Sequence, residues 1–216
     1  MNSAAQPFQF VTASYLTRVN NQKATNLNEL RQGIEQTSDE SIFYHTFQSL
    51  SRYHFLTEGF SNDFAQWVLA SLNRAELAEQ LAGLDIRDYP SLAELRGDLR
   101  RMLTEYCESH PAEAQQTGFE PFYFSESLAV TVPLGLEART LAEFREALTR
   151  LSHDTFYHHF IASRLRLHLG TNDFSNWFAT DLEAPDLARR ANRIDIYTNT
   201  LDTAREELIE LVDGEL

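Results

Sequence analysis

The sequence predicts a mainly all-α fold in which two five-helix units, related by a pseudo-twofold axis, carry a short β ribbon. Three observations lead to this prediction. The chain matches itself, helix-capping residues precede amphipathic stretches in both halves, and each half opens with an extended segment. The first unit is predicted at residues 1–112 and the second at 120–216. A linker at 113–119 joins them, and we expect the two to pack as one compact body.

The self-match starts at an offset of 114 residues, which then shrinks in small steps along the chain. The main matched segments are Pro7-Phe8-x-Phe10 with Pro121-Phe122-x-Phe124, Phe43-Tyr44-His45 with Phe156-Tyr157-His158, and Asn62-Asp63-Phe64-x-x-Trp67 with Asn172-Asp173-Phe174-x-x-Trp177. Both tryptophans of the chain fall in the match, so chance is a poor explanation. We therefore predict a gene duplication that produced an internal tandem repeat.

The opening segment of each unit is predicted as a short strand, at residues 8–16 and 122–132. The second segment contains the string SLAVTV, in which apolar and polar side chains alternate with a period of two. This alternation is typical of a half-buried strand. Two such strands could pair across the pseudo-twofold axis, and helices packed against them would stabilise the ribbon.

Five helices follow in each unit, and capping residues mark several of their starts. The first begins near Asn26 or Thr140, with Glu29 or Glu143 at the capping-box spacing. The predicted starts of the later helices are Ser38 and Ser152, then Asn62 and Asn172, then about 74 and 186, and finally about 91 and 200. In the second helix, Phe43, Phe47, Leu50 and His54 would form one apolar stripe.

Composition excludes several classes of function. The formal net charge is −14, with 32 acidic residues against 18 basic ones, which argues against nucleic-acid binding and against anionic membrane surfaces. Cys107 is the single cysteine, so no internal disulfide and no multi-thiolate zinc site can form. The N-terminus lacks the features of a signal peptide, and no apolar run is long enough to span a membrane. We expect a cytoplasmic monomer or homodimer.

The matched strings Phe43-Tyr44-His45 and Asn62-Asp63-Phe64-x-x-Trp67, with their second copies, resemble a group of prokaryotic proteins known as domain-of-unknown-function family 5752. The resemblance covers nearly the whole chain. It implies a prokaryotic cytosolic protein without an assigned activity, and it carries no catalytic residues onto this sequence.

The sharpest candidate site combines His45 and His158 with Asp85 and Asp195, which recur in the two matched halves. A twofold axis could bring them together, and two imidazoles with two carboxylates suit a divalent metal. The simpler alternative is that each histidine hydrogen-bonds a partner in its own unit, and that each aspartate caps a turn. No cofactor is predicted, and the metal is kept as the alternative.

Four further residues are candidates for binding because they also recur. Tyr44 and Tyr157 precede the two histidines. Arg96 and Arg205 lie on the fifth helices, where we expect each to pair with the recurring aspartate; an anion clamp is the functional alternative.

The function itself is not apparent from any motif, since glycine-rich phosphate loops and nucleophile elbows are absent from the sequence. We favour a non-enzymatic interaction or regulatory module that binds a protein partner or a small ligand. The alternative is a metal-assisted or His/Asp acid–base hydrolase with its site at the repeat interface.

Overall fold

The computed structural model describes residues 3–48, 60, 62–85, 88–167, 169–195 and 199–216. About 57% of the chain is helical. Two strands of 17 residues each, β1 (Phe8–Ala24) and β2 (Phe122–Ala138), form an antiparallel two-stranded sheet. The predicted all-α fold with a short ribbon is therefore wrong, because the helices are combined with two long strands.

The strands run past their predicted ends at residues 16 and 132 through sequence that does not look like a strand. β1 continues through mostly polar residues from Thr17 to Lys23. β2 continues through Pro133 and through Gly135, whose φ of 66° lies in the left-handed region. These stretches are largely exposed, and on an exposed edge proline needs no hydrogen-bonding partner and apolar alternation is not required. That is why periodicity missed them.

The chain forms two compact units that do not follow chain order. The continuous unit is Leu16–Leu128, whereas the split unit combines Met1–Tyr15 with Ala129–Leu216. Each strand therefore gives one half to each unit. This division differs from the predicted one at 1–112 and 120–216. The predicted linker at 113–119 begins inside a short helix and leads without regular structure to β2.

The continuous unit holds six helices among its described residues, with one π-helical turn after the second. They are α1 (Leu27–Gln36), α2 (Asp39–Phe43), the π turn Tyr44–Gln48, α3 (Asp63–Leu72), α4 (Ala75–Ala82), α5 (Leu92–Ser109) and α6 (Pro111–Ala114). The predicted stripe from Phe43 is interrupted by the π turn, and Leu50 and His54 lie outside the described residues.

The split unit has the corresponding elements in the same order. They are α7 (Leu141–Leu148), α8 (His153–Tyr157), the π turn His158–Ala162, α9 (Ser163–Arg166), α10 (Asp173–Thr180), α11 (Pro185–Asn192) and α12 (Leu201–Asp213). None of the helices in the described parts of either unit combines the length and apolar character needed to cross a bilayer.

The capping residues inferred from the sequence start the helices as expected. Each of them has a side-chain oxygen that accepts a hydrogen bond from the main-chain N–H three residues further on. They are Asn26, Ser38, Asn62 and Ser91 in the continuous unit, and Thr140, Ser152, Asn172 and Thr200 in the split unit.

Each unit has a core rich in aromatic rings that includes the first residues of a strand. In the split unit, Phe8 at the start of β1 contacts the rings of Phe144, Phe174 and Trp177 at centroid distances of 5.3–5.7 Å. In the continuous unit, Phe122 at the start of β2 is placed in the same way against Phe64 and Trp67. Each strand start is therefore held by helices that lie far from it in sequence.

Candidate functional site

His45 lies in the π turn of the continuous unit, and only 3% of its surface is exposed. Its Nε2 accepts the main-chain N–H of Ser125 in β2 at 2.9 Å. Nδ1 therefore carries the ring proton and donates to the carboxylate of Asp63 at 2.8 Å. With both nitrogens engaged, this ring has no lone pair left for a metal ion, and its role is to hold β2 against the helices.

His159 makes the same set of contacts in the split unit. Its Nε2 accepts the main-chain N–H of Val11 in β1 at 2.9 Å, and its Nδ1 lies 2.8 Å from the carboxylate of Asp173. Arg166 donates to both oxygens of that carboxylate at 2.8 and 2.9 Å. Arg166 thus balances the charge of Asp173. We call the bonds of each buried histidine to its strand and its aspartate a clamp, with His45 in the continuous unit and His159 in the split unit.

The structural counterpart of His45 is thus His159. The sequence match had paired His45 with His158 instead. The matching string Phe-Tyr-His drew the alignment one residue out of register. An unchanged offset of 114 from the caps Ser38 and Ser152 through the π turns would have paired His45 with His159. The first decrease in the offset between the two halves then occurs in a single gap, which lies before α3 and α10.

His158 forms a separate dyad with Tyr15, which sequence analysis missed. The Tyr15 hydroxyl lies 2.7 Å from Nδ1 of His158. The pKa of His158 is lowered to about 4, first by burial and then by His159 and Arg166, against an opposing effect of Asp173. Burial also raises the pKa of Tyr15 well above its ordinary range. Both groups are therefore uncharged near neutral pH, and a histidine with this pKa is a weak general base there.

The two candidate tyrosines are packing residues. Tyr44 and Tyr157 are each 6% exposed. The ring of Tyr44 stands edge-on to His45 at 4.9 Å, and the ring of Tyr157 stands edge-on to Tyr15 at 5.3 Å. Both rings thus pack beside polar groups, and the hydroxyl of Tyr157 is buried.

Arg96 does not pair with Asp85, contrary to our expectation. Its guanidinium donates to the carbonyls of Ile34 and Thr37 at 2.5 and 2.8 Å and to the carboxylate of Asp39 at 2.6 Å. The carbonyls at a helix C-terminus lack partners within the helix, and Arg96 provides them for α1. It is a structural cap.

Arg205 is used in the same way in the split unit. It donates to the carbonyl of Leu151 at 2.9 Å and to the carboxylate of Asp202 at 2.6 Å, rather than to Asp195. Asp85 and Asp195 are half-buried and directly precede stretches outside the described residues. A metal site shared by the two histidines and these aspartates would have to draw on both units, and it stays a prediction.

Metal ligation finds no support in the described ranges, where no group of three or more His, Cys, Asp or Glu side chains is arranged to hold an ion. Two histidines from the sequence analysis, His54 and His168, lie outside those ranges. The ring nitrogens of His45 and His159 are already occupied by hydrogen bonds to a strand and to an aspartate.

The split unit exposes an apolar stretch of β2 at residues 129–135, here called the outer segment. Every residue in it is exposed, and Val130, Val132 and Leu134 are 45–55% exposed. Alternate residues of a strand point to the same face, so these three form one apolar stripe. No charged side chain occurs between residues 127 and 136.

The edge of the outer segment is open within the described residues. β1 is the inner strand of the split unit, because the N–H of Val11 faces His159 and Phe8 and Phe10 are buried. β2 pairs with β1 alone in the sheet. The edge of β2 that faces away from β1 thus carries main-chain donors and acceptors without a strand partner.

The continuous unit provides an internal contrast, because its outer strand is the second half of β1. This stretch carries Arg18 and Lys23, and Arg18 forms an ion pair with Glu126. Charged side chains on an edge strand discourage pairing with other chains. The outer segment of β2 lacks this protection, apart from the missing N–H of Pro133.

Comparison with known proteins agrees with the resemblance noted from the sequence. Residues 5–213 match the model of a family of unknown function, DUF5752, and the chain belongs to this family. The solved structure of OrfY from Thermoproteus tenax is similar, with a TM-score of 0.86 and 28% sequence identity, over 99% of this chain and 97% of that one. No curated protein matches the sequence.

Proposed function

We propose that the protein is a non-enzymatic interaction module that binds an extended segment of a partner protein along the outer segment of β2. The observation that carries this proposal is the uncharged, apolar and exposed strand with an open edge. Binding would add a strand to the sheet. Main-chain hydrogen bonds would provide affinity, and the stripe of Val130, Val132 and Leu134 would select apolar side chains on the partner.

The acid–base hydrolase alternative has less support from the geometry. Both ring nitrogens of His45 are already hydrogen-bonded, and burial lowers the pKa of His158 to about 4. A catalytic base works best with a pKa near the operating pH. The histidines that sequence analysis put forward are therefore poorly suited to proton transfer near neutrality.

The occupant is a segment of another protein rather than a second copy of this chain. Each copy carries a formal charge of −14, so two copies repel each other at low ionic strength. The outer segment itself is neutral, and a partner with basic residues flanking an apolar strand would be attracted by the net negative charge of the chain.

Site-specific photo-crosslinking in the native host tests the proposal. A photoreactive residue at Leu134 should yield one discrete adduct with another protein, whereas the same residue at Val19, on the outer strand of the continuous unit, should not. Val132→Lys should abolish the adduct because it places a charge on the stripe. Val19→Lys is the matched control and should leave the adduct unchanged, since Val19 is as exposed as Val132.

Three results would overturn the proposal. They are the same adducts from positions 134 and 19, no adduct from position 134, or an adduct that survives Val132→Lys. An adduct with the mass of two copies of this chain would instead make the outer segment a self-association surface and would exclude the partner proposed above.

A further inference from the structure

A second candidate site lies in the continuous unit, in a groove of about 660 Å³ between α1 and α5. Three arginines line it: Arg31 from α1, and Arg100 and Arg101 from α5. Glu35 and Glu105 line it as well, so the groove holds three guanidinium groups and two carboxylates. The groove has a size that suits a small molecule.

Arg31 is the central feature of the groove because no carboxylate forms an ion pair with it among the described residues. The split unit shows what the position ordinarily holds. Arg145 stands at the same place after the cap of α7, and it pairs with Asp213 of α12 through two bonds of 2.9 and 3.2 Å. The residue of α5 that corresponds to Asp213 is Thr104, which also lines the groove.

Thr104 cannot replace the missing carboxylate. Its hydroxyl donates to the carbonyl of Arg100 within the same helix at 2.8 Å. The continuous unit therefore keeps the arginine without the acid of the pair, which leaves the Arg31 guanidinium at the groove without an ion-pair partner among the described residues. In the split unit the guanidinium of Arg145 is instead held by Asp213 in a pair that is partly exposed to solvent.

The other two arginines have partners that an anion could displace. Arg100 lies 3.2 Å from Glu35, and Arg101 lies 3.1 Å from Asp98 and 3.4 Å from Glu105. These pairs are largely exposed to solvent, and exposed ion pairs contribute little to stability. Releasing a guanidinium from such a pair is consequently inexpensive.

The floor of the groove is also open. A Cβ atom added at Gly97 would meet no other atom within 4 Å, so the helix surface there leaves room for a ligand against the backbone of α5. At the corresponding positions of α12, Ile209 and Glu210 stand in place of Arg100 and Arg101, so the split unit does not repeat the site.

We propose that this groove binds the phosphate group of a small phosphorylated molecule. Arg31 supplies a guanidinium that forms no ion pair among the described residues, and Arg100 and Arg101 complete a set of planar donors suited to a dianion. Guanidinium groups bind phosphate oxygens in pairs, which gives both strength and geometry. The site is separate from the outer segment of β2 and does not depend on the partner proposed for it.

Calorimetric titration of the full chain at low ionic strength tests the proposal, with inorganic phosphate and glycerol 3-phosphate as probes and acetate as the singly charged comparison. Both phosphates should bind, and acetate should bind at least about tenfold more weakly. Arg31→Ala should weaken phosphate binding at least about tenfold, since hydrogen bonds to charged groups are worth more than one such factor. Arg145→Ala is the matched control and should leave binding unchanged.

A second variant, Thr104→Asp, should lose phosphate binding while the protein stays folded. It restores the acid that Asp213 provides in the split unit, so Arg31 should be neutralised and phosphate binding should fall at least about tenfold. The melting temperature should stay the same or rise. Unchanged phosphate binding in Thr104→Asp, equal affinity for acetate, or dissociation constants above about 10 mM for both phosphates would overturn the proposal. A phosphoserine peptide that binds better than both small phosphates would overturn it too.

Discussion

The imidazole of His45 accepts a hydrogen bond from the main-chain N–H of Ser125 at 2.9 Å, although the two residues are 80 positions apart in sequence. Its other nitrogen is fixed by Asp63, so the ring is oriented by one helix start and in turn holds a strand. His159 repeats this arrangement with Val11 in the split unit. The strands are thus attached to the helices by buried side-chain bonds as well as by apolar packing.

Replacing His45 by alanine should lower the free energy of unfolding by about 2–4 kcal/mol. The substitution leaves the buried N–H of Ser125 without an acceptor and opens a cavity beside Phe122, and each effect is destabilising. Urea denaturation followed by tryptophan fluorescence measures the change. His153→Ala is the control, because the bond of His153 to Asp202 is largely exposed, and it should change stability by less than about 0.5 kcal/mol. A similarly small effect at His45 would contradict the clamp.

The stability of the fold should depend on pH through His158. Its pKa is lowered to about 4 in the folded protein, mainly by burial, against about 6.5 in an unfolded chain. The unfolded state therefore takes up a proton first as pH falls. The stability that the neutral ring contributes is complete above about pH 6.5 and is lost progressively as pH falls towards 4.

His158→Gln should flatten this part of the stability profile, which is measured by urea denaturation between pH 7.5 and pH 4.5. A histidine titration by NMR should show His158 still neutral at about pH 5.5. The control is His110→Gln, at an exposed position, and this variant should keep the loss of stability that His158→Gln removes. An unaltered profile in His158→Gln would refute the assignment.

Two glycines should respond to alanine in opposite directions. A Cβ at Gly33 would lie 2.3–2.4 Å from the ring of Phe124, which is fully buried and has no room to shift. We expect Gly33→Ala to destabilise the protein by about 1–3 kcal/mol through overpacking. At Gly97 a Cβ meets nothing, so Gly97→Ala should stabilise α5 by about 0.5–1 kcal/mol. Thermal unfolding compares the two, and equal effects would show that contact with Phe124 is not the determining factor.

Arg96→Ala should destabilise the protein by about 1.5–3 kcal/mol, because two carbonyls at the end of α1 lose a charged donor. Arg96→Lys should recover only part of this loss, since an ammonium group cannot span three acceptors in a plane. Arg100→Ala, on the exposed face of the same helix, serves as the comparison and should change stability by less than about 0.5 kcal/mol. Full recovery by lysine would count against the capping geometry.

Much of the local structure could be predicted because helix starts depend on short-range chemistry. Asn26, Ser38 and Thr140 were identified from the sequence, and their side chains accept the bonds that capping requires. The position of a cap depends only on residues within one helical turn. The lengths of the strands could not be obtained in this way, because each outer half is defined by the strand beside it rather than by its own pattern.

The candidate site was harder to predict than the fold. His45 was identified, but its counterpart was assigned to His158 because a repeated three-letter string outweighed a constant offset. A π turn leaves no clear mark in the sequence, and because its hydrogen bonds join residues five apart rather than four, it changes which side chain faces the strand. The dyad of Tyr15 and His158 joins residues 143 positions apart and has no local signature.

The division of the chain also has a consequence for its synthesis. Leu16–Leu128 is one uninterrupted stretch and can begin to assemble once its last residue has left the ribosome, whereas Met1–Tyr15 belongs to a unit whose other residues, Ala129–Leu216, are synthesised after that stretch. At translation speeds of about 5–20 residues per second, Phe8 and Phe10 are synthesised several seconds before the residues of Ala129–Leu216 that surround them. Both end up buried, and during that interval the rings of Phe144 and Trp177 are not yet there to cover Phe8.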